Sequence, residues 1–252
     1  MLTEWYKTCE PDFSYQNTVG LLIAGSCEQH SKYLPAGTDG LIGYAVAKAA
    51  GAACRARTLL LPLQMIGYSP HHRDFRGYLT LSQDTMFRCY LEICRCAFEQ
   101  GLEKLLIINA HGGNQSCLQT VVNELGAKYN NRCILVRYWD LIADSVAEIR
   151  SSGDGGMGHA GEFETSLMLY LYPEMVKREA GEAYKPAVGN PYHSPDMFAK
   201  NSVYQYKPFI EYSAEGNIGQ PQLADPAKGK IFFEKTVKAI ADLIDFYCIN
   251  QF

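Results

Sequence analysis

The sequence lacks any apolar run long enough to cross a bilayer. Its apolar runs, such as those at residues 59–63 and 105–108, fall far short of the ~18–20 residues that a membrane span needs. The first residues, 1–13, carry both acidic and basic side chains instead of the basic-then-apolar pattern of a secretory signal. These absences predict a cytoplasmic protein that has no membrane partner.

There is also no long block of one charge sign. The 23 Lys and Arg residues and 27 Asp and Glu residues give a net charge of −4, so bulk charge favours neither nucleic acid nor anionic lipid as a partner. The nine cysteines show no C-x-x-C spacing and fall mostly in apolar segments, which predicts reduced thiols. A G-x-S-x-G nucleophile elbow and a Walker loop are absent as well.

What the chain does contain is enough apolar sequence for a substantial core. With 252 residues, 47% of them hydrophobic, we expect a single domain over residues 1–252. Apolar patterning predicts strands at 19–24, 58–63, 105–109 and 133–138, and helices at 39–50, 83–99, 114–128, 162–172 and 230–250. Alternating strands and helices imply right-handed crossovers and parallel pairing. The predicted fold is therefore α/β: a three-layer α/β/α sandwich with a mostly parallel central sheet.

One long stretch, residues 177–229, does not fit this alternation. It holds six of the eleven prolines and five of the seventeen tyrosines, so regular strands and helices are not expected there. Loops of this length in compact domains usually carry function or make subunit contacts.

Metal-capable side chains follow the first predicted strand. Glu28 and His30 are two residues apart, and in extended chain side chains at that spacing point the same way. Asp39 lies at the start of the next predicted helix. This pattern suits half of a metal site. On this segment alone, a solvated loop residue at Glu28 and a helix N-cap at Asp39 or Thr38 would be the more common arrangement.

A histidine also follows the third predicted strand. His111 lies in the tight turn after residues 105–109, and open parallel sheets bind their ligands beyond the carboxyl ends of the strands. Alone, His111 would more often be a hydrogen-bonded turn residue. Two strand ends with metal-capable side chains instead favour a metal centre. The neighbouring pair His71 and His72 follows the second strand and could either border the same site or lie on the surface.

His159 stands just before the helix predicted at 162–172, whose first turn contains Glu162 and Glu164. The helix dipole alone favours acids there, so at least one of them should have only that role. Because residues two apart on a helix point in different directions, one of them can face the site while the other faces solvent. Residues 156–161 also match G-x-G-x-x-G, but the preceding residues are polar and do not form the strand that a dinucleotide-binding fingerprint requires.

Six ordered segments resemble the creatininase (creatinine amidohydrolase) family along nearly the whole chain. They are GSCEQH at 25–30, LPAGTD at 34–39, HRDFRG at 72–77, NAHGGN at 109–114, HAGEFETS at 159–166 and GNIGQP at 216–221, followed by Lys228 and Gly229. The resemblance implies an α/β/α fold, a homohexamer, and hydrolysis of a carbon–nitrogen bond, often in a cyclic amide, at a two-metal centre.

Carried over residue by residue, the family pattern implies a ligand set and an acid/base residue. The implied metal ligands are Glu28, His30, Asp39 and His111. The same pattern has Asp39 bridging the two ions and His159 transferring protons.

The sequence departs from creatininases proper at Gly113, where they have a glutamate ligand. The missing carboxylate must then come from elsewhere, and we expect Glu164 rather than Glu162 to supply it. The resemblance also implies that His72, Gly112 and Gly113 contact the substrate.

The oxygen and imidazole ligands suit two divalent metal ions, with zinc or manganese expected first and iron also compatible. Such ions would activate water and polarise a carbonyl, and His159 would deliver a proton to the leaving nitrogen. The expected function is a dinuclear metal-dependent amidohydrolase acting on a small amide. The alternatives are a family hydrolase acting on a cyclic polyol or keto-sugar derivative, and a catalytically inactive metal-binding relative.

Overall fold

The computed structural model describes residues 1–130, 132–177 and 188–250. Its central sheet has five strands in the order β1-β3-β2-β4-β5, and every pairing between them is parallel. The strands are β1 (Leu2–Glu4), β2 (Thr18–Ala24), β3 (Arg57–Leu60), β4 (Lys104–Asn109) and β5 (Cys133–Arg137). The predicted α/β sandwich is confirmed, and the short edge strand β1 is an addition to it.

Helices cover both faces of the sheet. They are α1 (Thr38–Ala53), α2 (Gln83–Glu99), α3 (Gln115–Tyr129), α4 (Ala143–Ile149), α5 (Glu162–Leu171) and α6 (Pro226–Ile249). One core joins the sheet to α1, α5 and α6, and a second core joins its other face to α2 and α3. In β2, Leu21 faces the first core and Leu22 the second, as the two-residue period of a strand requires.

Several helix boundaries differ from those that the sequence predicted. The first helix, predicted to end at residue 50, continues to Ala53 and includes Gly51. The last helix begins at Pro226, where Asp225 caps it, instead of at residue 230. Helix α4 was not predicted. Of the long proline-rich stretch, residues 178–187 lie outside the described residues, and residues 188–225 contain only short 3-10 helices.

All nine cysteines are free, as expected. Among the described residues, no helix is both long enough and apolar enough to span a membrane.

The first turn of α1 reaches the end of the sheet because the helix packs very closely on it. At Gly43, a Cβ atom would lie 2.8 Å from Ala110 Cβ and 3.0 Å from Ile23 Cγ2. Ala110 directly follows β4, and Ile23 belongs to β2. The missing side chain thus lets the helix carry Asp39 to the carboxyl ends of the two central strands.

This close approach gives a stability prediction with a definite sign. Helix propensity alone would make Gly43→Ala stabilising by about 1 kcal/mol. Overpacking costs about 1–3 kcal/mol, and the two contacting atoms, Ala110 Cβ and Ile23 Cγ2, belong to short side chains that have little freedom to move away. We therefore expect a net loss of unfolding free energy in urea titrations. The exposed α1 substitution Ala52→Ser serves as control and should change stability by less than about 0.5 kcal/mol. A more stable Gly43→Ala protein would contradict the packing argument.

Candidate metal centre and active site

The candidate site lies at the carboxyl ends of β2 and β4. These strands are neighbours in the sheet, but the connection after β2 leads to β3 on one side, and β4 pairs on the other. Such a reversal of strand order opens a crevice at the carboxyl edge, where α/β proteins bind ligands. The loop after β2 contributes Glu28 and His30, the turn after β4 contributes His111, and α1 contributes Asp39.

Asp39 occupies the centre of the cluster. Its Oδ1 is 3.0 Å from His30 Nε2, and its Oδ2 is 3.1 Å from His111 Nδ1. The N-cap of α1 is Gly37, and no side chain caps the helix, so the N-cap role considered for Asp39 does not apply. The two oxygens of one buried carboxylate therefore face two imidazoles that come from different strand ends.

Two further carboxylates flank Asp39. Glu28 is fully buried, and its Oε2 accepts hydrogen bonds from the hydroxyls of Ser26 (2.9 Å) and Ser69 (2.6 Å). On the other flank, Glu164 Oε2 lies 4.0 Å from His30 Nε2 and accepts a hydrogen bond from the backbone N–H of Ala160 (2.6 Å). The arrangement is a row of carboxylates interleaved with imidazoles.

Backbone carbonyls fix the orientation of the two central imidazoles. His30 Nδ1–H donates to the carbonyl of Glu28 (3.0 Å), which leaves Nε2 facing Asp39. His111 Nε2–H donates to the carbonyl of Tyr68 (3.2 Å), which leaves Nδ1 facing Asp39. Metal-binding histidines usually donate their second N–H in this way, because the bond sets the tautomer and orients the ring.

Burial and neighbouring charges shift the pKa values of several groups in the cluster. Burial would raise the pKa of the Glu28 carboxyl, but the charge of His111 outweighs it and keeps the pKa well below normal. Burial would lower the pKa of His30, yet the carboxylate of Asp39 raises it to about 9. For Glu164, burial raises the pKa to about 7. Without metal ions, protons on these groups balance the buried carboxylates.

The residues fit divalent metal ions. Two carboxylate oxygens in the cluster, Glu28 Oε1 and Asp39 Oδ2, are buried and accept no hydrogen bond among the described residues. Buried polar atoms rarely lack a well-aligned partner, so these two acceptors suit a bound cation. Potential ligand atoms come within 4.8 Å of one another in several groups, including Glu28–His30–Asp39 and His30–His159–Glu164.

The structure separates the two glutamates of α5. Glu164 faces the cluster, whereas Glu162 points away and is buried against the start of the preceding loop. There its carboxylate accepts hydrogen bonds from the N–H groups of Ser151 and Ser152 (2.8 Å each) and pairs with Lys228 Nζ (2.6 Å). The two glutamates therefore point in different directions, as predicted. Glu162, however, forms an ion pair with Lys228 instead of facing solvent.

The turn after β4 also explains why position 113 has no side chain. A Cβ atom at Gly113 would lie 2.5 Å from the Tyr68 carbonyl oxygen, would overlap His111 Nε2 and would press on His71 Cε1. A glutamate at this position would therefore require the loop to move. Gly112, by contrast, is exposed and has open space above it.

His159 sits against the cluster with its orientation fixed. Its Nε2–H donates to the carbonyl of Gln29 (2.7 Å), so its Nδ1 lone pair faces Glu28 Oε1, 3.4 Å away. Burial, together with the charge of His30, holds the pKa of His159 well below its usual value. The imidazole is therefore a neutral base. The following residue, Ala160, has φ +48°, a strained conformation of the kind found at functional sites.

The histidine pair left open by the sequence lies at the site. His72 is fully buried, and its Nε2 is 3.2 Å from Glu28 Oε1. His71 stacks on His111 with ring centroids 5.5 Å apart. Phe209, which sequence reasoning missed, packs on both rings of the pair at 4.5 Å and on His159 at 5.2 Å. Only the unusual proline and tyrosine content of the surrounding stretch signalled this contribution.

Serine and glutamine residues around Glu28 were missed as well. Ser26 and Gln29 belong to the same short segment as the predicted ligands, and Ser69 directly precedes the 3-10 turn that carries the histidine pair. Their positions one or two residues from predicted site residues were the available signal.

The chain is similar in sequence to several proteins of known activity. A family model described as creatininase, creatinine amidohydrolase, matches residues 8–244. The creatinine amidohydrolase of Pseudomonas putida is 27% identical over 254 aligned residues, covering 95% of this chain and 93% of that protein. The mycofactocin precursor peptide peptidase of Mycobacterium ulcerans is 28% identical, covering 86% and 80%. The 3-dehydro-scyllo-inosose hydrolase of Thermotoga maritima is 22% identical, covering 89% and 75%.

Solved structures share the fold. A creatininase structure in a manganese form is 26% identical, with a TM-score of 0.77 over 93% of both chains. A creatininase variant of Zn–Zn type is 25% identical, with a TM-score of 0.75 over 93% of this chain and 92% of that one. The family model covers most of the chain, and the chain therefore belongs to the creatininase family of hydrolases.

Proposed function

We propose that the protein is a dinuclear metal-dependent amidohydrolase that cleaves the carbon–nitrogen bond of a small amide. The observation that supports this most is the shared carboxylate of Asp39, whose two oxygens face His30 and His111. A carboxylate placed between two imidazoles from different strand ends suits a bridging ligand. Glu28 and Glu164 would complete the ligand set on the two flanks.

The donor chemistry favours zinc or manganese, with iron also compatible, because the set combines carboxylate oxygens with imidazole nitrogens and has no thiolate. The similarity to creatininase structures of manganese and Zn–Zn type supports the same choice. When bound, two such ions would supply an activated water and an electrophile for the substrate carbonyl.

His159 would move the proton that amide cleavage requires. Its Nδ1 lone pair faces the cluster, and its depressed pKa suits a base that first accepts a proton and then gives it to the leaving nitrogen. His72, Gly112 and Gly113 border the same space and would contact the substrate. Phe209 closes over the histidines and would exclude water from one side.

The presence of Glu164 weakens the alternative of an inactive metal-binding relative. That alternative depended on the carboxylate missing at Gly113, and Glu164 brings another carboxylate to the same cluster. A substrate screen should begin with creatinine, short peptides and cyclic polyol derivatives, because relatives named for each class are similar to this chain.

A homo-oligomer, with the hexamer of the family as the expected form, also belongs to this proposal. Supporting it are large apolar side chains that are at least 40% exposed within residues 188–210. These are Val188, Tyr192, Val203, Tyr204, Tyr206 and Ile210. A concentration of exposed apolar side chains is typical of a surface that another protein chain covers.

Glu164 and Glu162 provide a matched pair of substitutions. Glu164→Gln should lower metal occupancy in elemental analysis, because it removes a carboxylate from the cluster. Glu162→Gln should keep the metal content of the wild type while losing about 2 kcal/mol of unfolding free energy, because it weakens the buried pairing with Lys228. Loss of metal from Glu162→Gln together with full occupancy in Glu164→Gln would reverse the two assignments.

Metal binding should release protons at neutral pH. The pKa of His30 is raised to about 9 from 6.5, so its stabilising ionic contact with Asp39 is complete below about 6.5 and disappears as pH rises through about 9. A metal ion must displace this proton, and its apparent affinity should therefore increase across that range. Calorimetric zinc titrations in buffers of different ionisation enthalpy measure the release. Identical heats in all buffers would contradict the assignment.

His159→Ala should separate proton transfer from metal binding. General acid–base residues contribute about 10²- to 10⁴-fold, so the variant should lose activity in that range while elemental analysis finds wild-type metal content. The deficit should be smallest for substrates whose leaving group needs no proton. A variant that loses metal, or that cleaves an unactivated amide at the wild-type rate, would overturn the role.

A further inference from the structure

Gln29 lies between the two predicted ligands Glu28 and His30, and its amide contacts Ser31, His72 and Gly216. The side chain is almost completely buried and makes three hydrogen bonds. Two of its partners, the backbone N–H of Ser31 and the carbonyl of Gly216, have fixed polarity. Gln29 therefore offers a hydrogen-bond pattern that can be read without ambiguity.

The amide orientation follows from those partners. Ser31 N–H can only donate, so the atom 2.8 Å from it must be the amide oxygen of Gln29. The Gly216 carbonyl can only accept, so the atom 3.1 Å from it must be the amide nitrogen. The same nitrogen lies 3.0 Å from His72 Nδ1 and donates its second hydrogen to that atom.

This contact fixes the proton of His72. An imidazole nitrogen that accepts a hydrogen bond bears no proton, so the ring carries its hydrogen on Nε2. His72 Nε2 is fully buried, 3.2 Å from Glu28 Oε1, and makes no hydrogen bond of good geometry among the described residues. A buried donor therefore faces the carboxylate of Glu28 at the site.

The tautomer matters because His72 belongs to a group that could otherwise hold a metal. Glu28, His72 and His159 bring potential ligand atoms within 4.8 Å of one another. A nitrogen that bears a proton offers no lone pair to a cation. Four groups of described residues have this spacing. In Glu28–His72–His159, His72 accepts a hydrogen bond from the amide of Gln29.

We infer that Gln29 is a positioning residue that holds the proton of His72 on Nε2, which keeps His72 out of the metal ligand set and makes it a hydrogen-bond donor to the substrate. The substrate contact rests on the proposed hydrolase function, whereas the position of the proton does not. The backbone carbonyl of Gln29 also accepts from His159 Nε2–H, so one residue orients two imidazoles of the site.

Nitrogen NMR of the full-length protein labelled with ¹⁵N-histidine tests the inference. The chain has six histidines, and the spectrum of His72→Asn identifies the His72 signals. In the metal-free wild type, we expect a protonated Nε2 and an unprotonated Nδ1. Adding zinc, which is diamagnetic, should shift the signals of His30 and His111 while His72 Nε2 keeps its proton.

A substitution that removes the donor extends the test. In Gln29→Glu, a carboxylate replaces the amide nitrogen and can only accept, so His72 Nδ1 should become protonated. The matched control is Gln119→Glu, the same chemical change at an exposed position of α3, which should reproduce the wild-type His72 signals.

Three results would overturn the inference: a wild-type proton on Nδ1, loss of the Nε2 proton on adding zinc, or an unprotonated Nδ1 in Gln29→Glu. If Gln29→Glu does not fold, the wild-type spectra with and without zinc decide the matter alone. A protein without hydrolase activity would contradict the proposed function but would leave these spectra unchanged, so the two failures are distinguishable.

Discussion

The position of one carboxylate, that of Asp39, determines how the rest of the site is arranged. It comes from a helix whose first turn approaches the carboxyl ends of the two central strands, and it meets one imidazole from each of the loops that follow them. This meeting requires the close packing of α1 at Gly43 and the parallel pairing of β2 with β4. The fold serves the site by bringing three separate segments of sequence to one buried carboxylate.

Burial makes this arrangement expensive unless cations are present. Three carboxylates, Glu28, Asp39 and Glu164, lie almost completely out of water, and an isolated buried carboxylate costs several kcal/mol. The hydroxyls of Ser26 and Ser69 stabilise one of them, but protons on His30 and His111 supply the balancing charge in the metal-free protein. Divalent ions could replace those protons, so the same side chains would suit both the metal-free and the metal-bound protein.

Much of the position of the candidate site could be predicted from local sequence. The two-residue spacing of Glu28 and His30 and the apolar strand before His111 depend only on neighbouring residues, and both patterns indicated the correct edge of the sheet. Contacts between distant segments were not predictable: the amide of Gln29 meets His72 across 43 positions, and Phe209 approaches from the proline-rich stretch. The edge strand β1, three residues long, is formed by pairing with β3 and has no pattern of its own.

The central claim is that Asp39 bridges two metal ions, and anomalous diffraction from crystals of the metal-loaded protein tests it most directly. The account predicts two anomalous peaks per chain, with one oxygen of Asp39 coordinating each ion and with Glu28 and Glu164 among the remaining ligands. A single peak, or two ions that do not share Asp39, would contradict it.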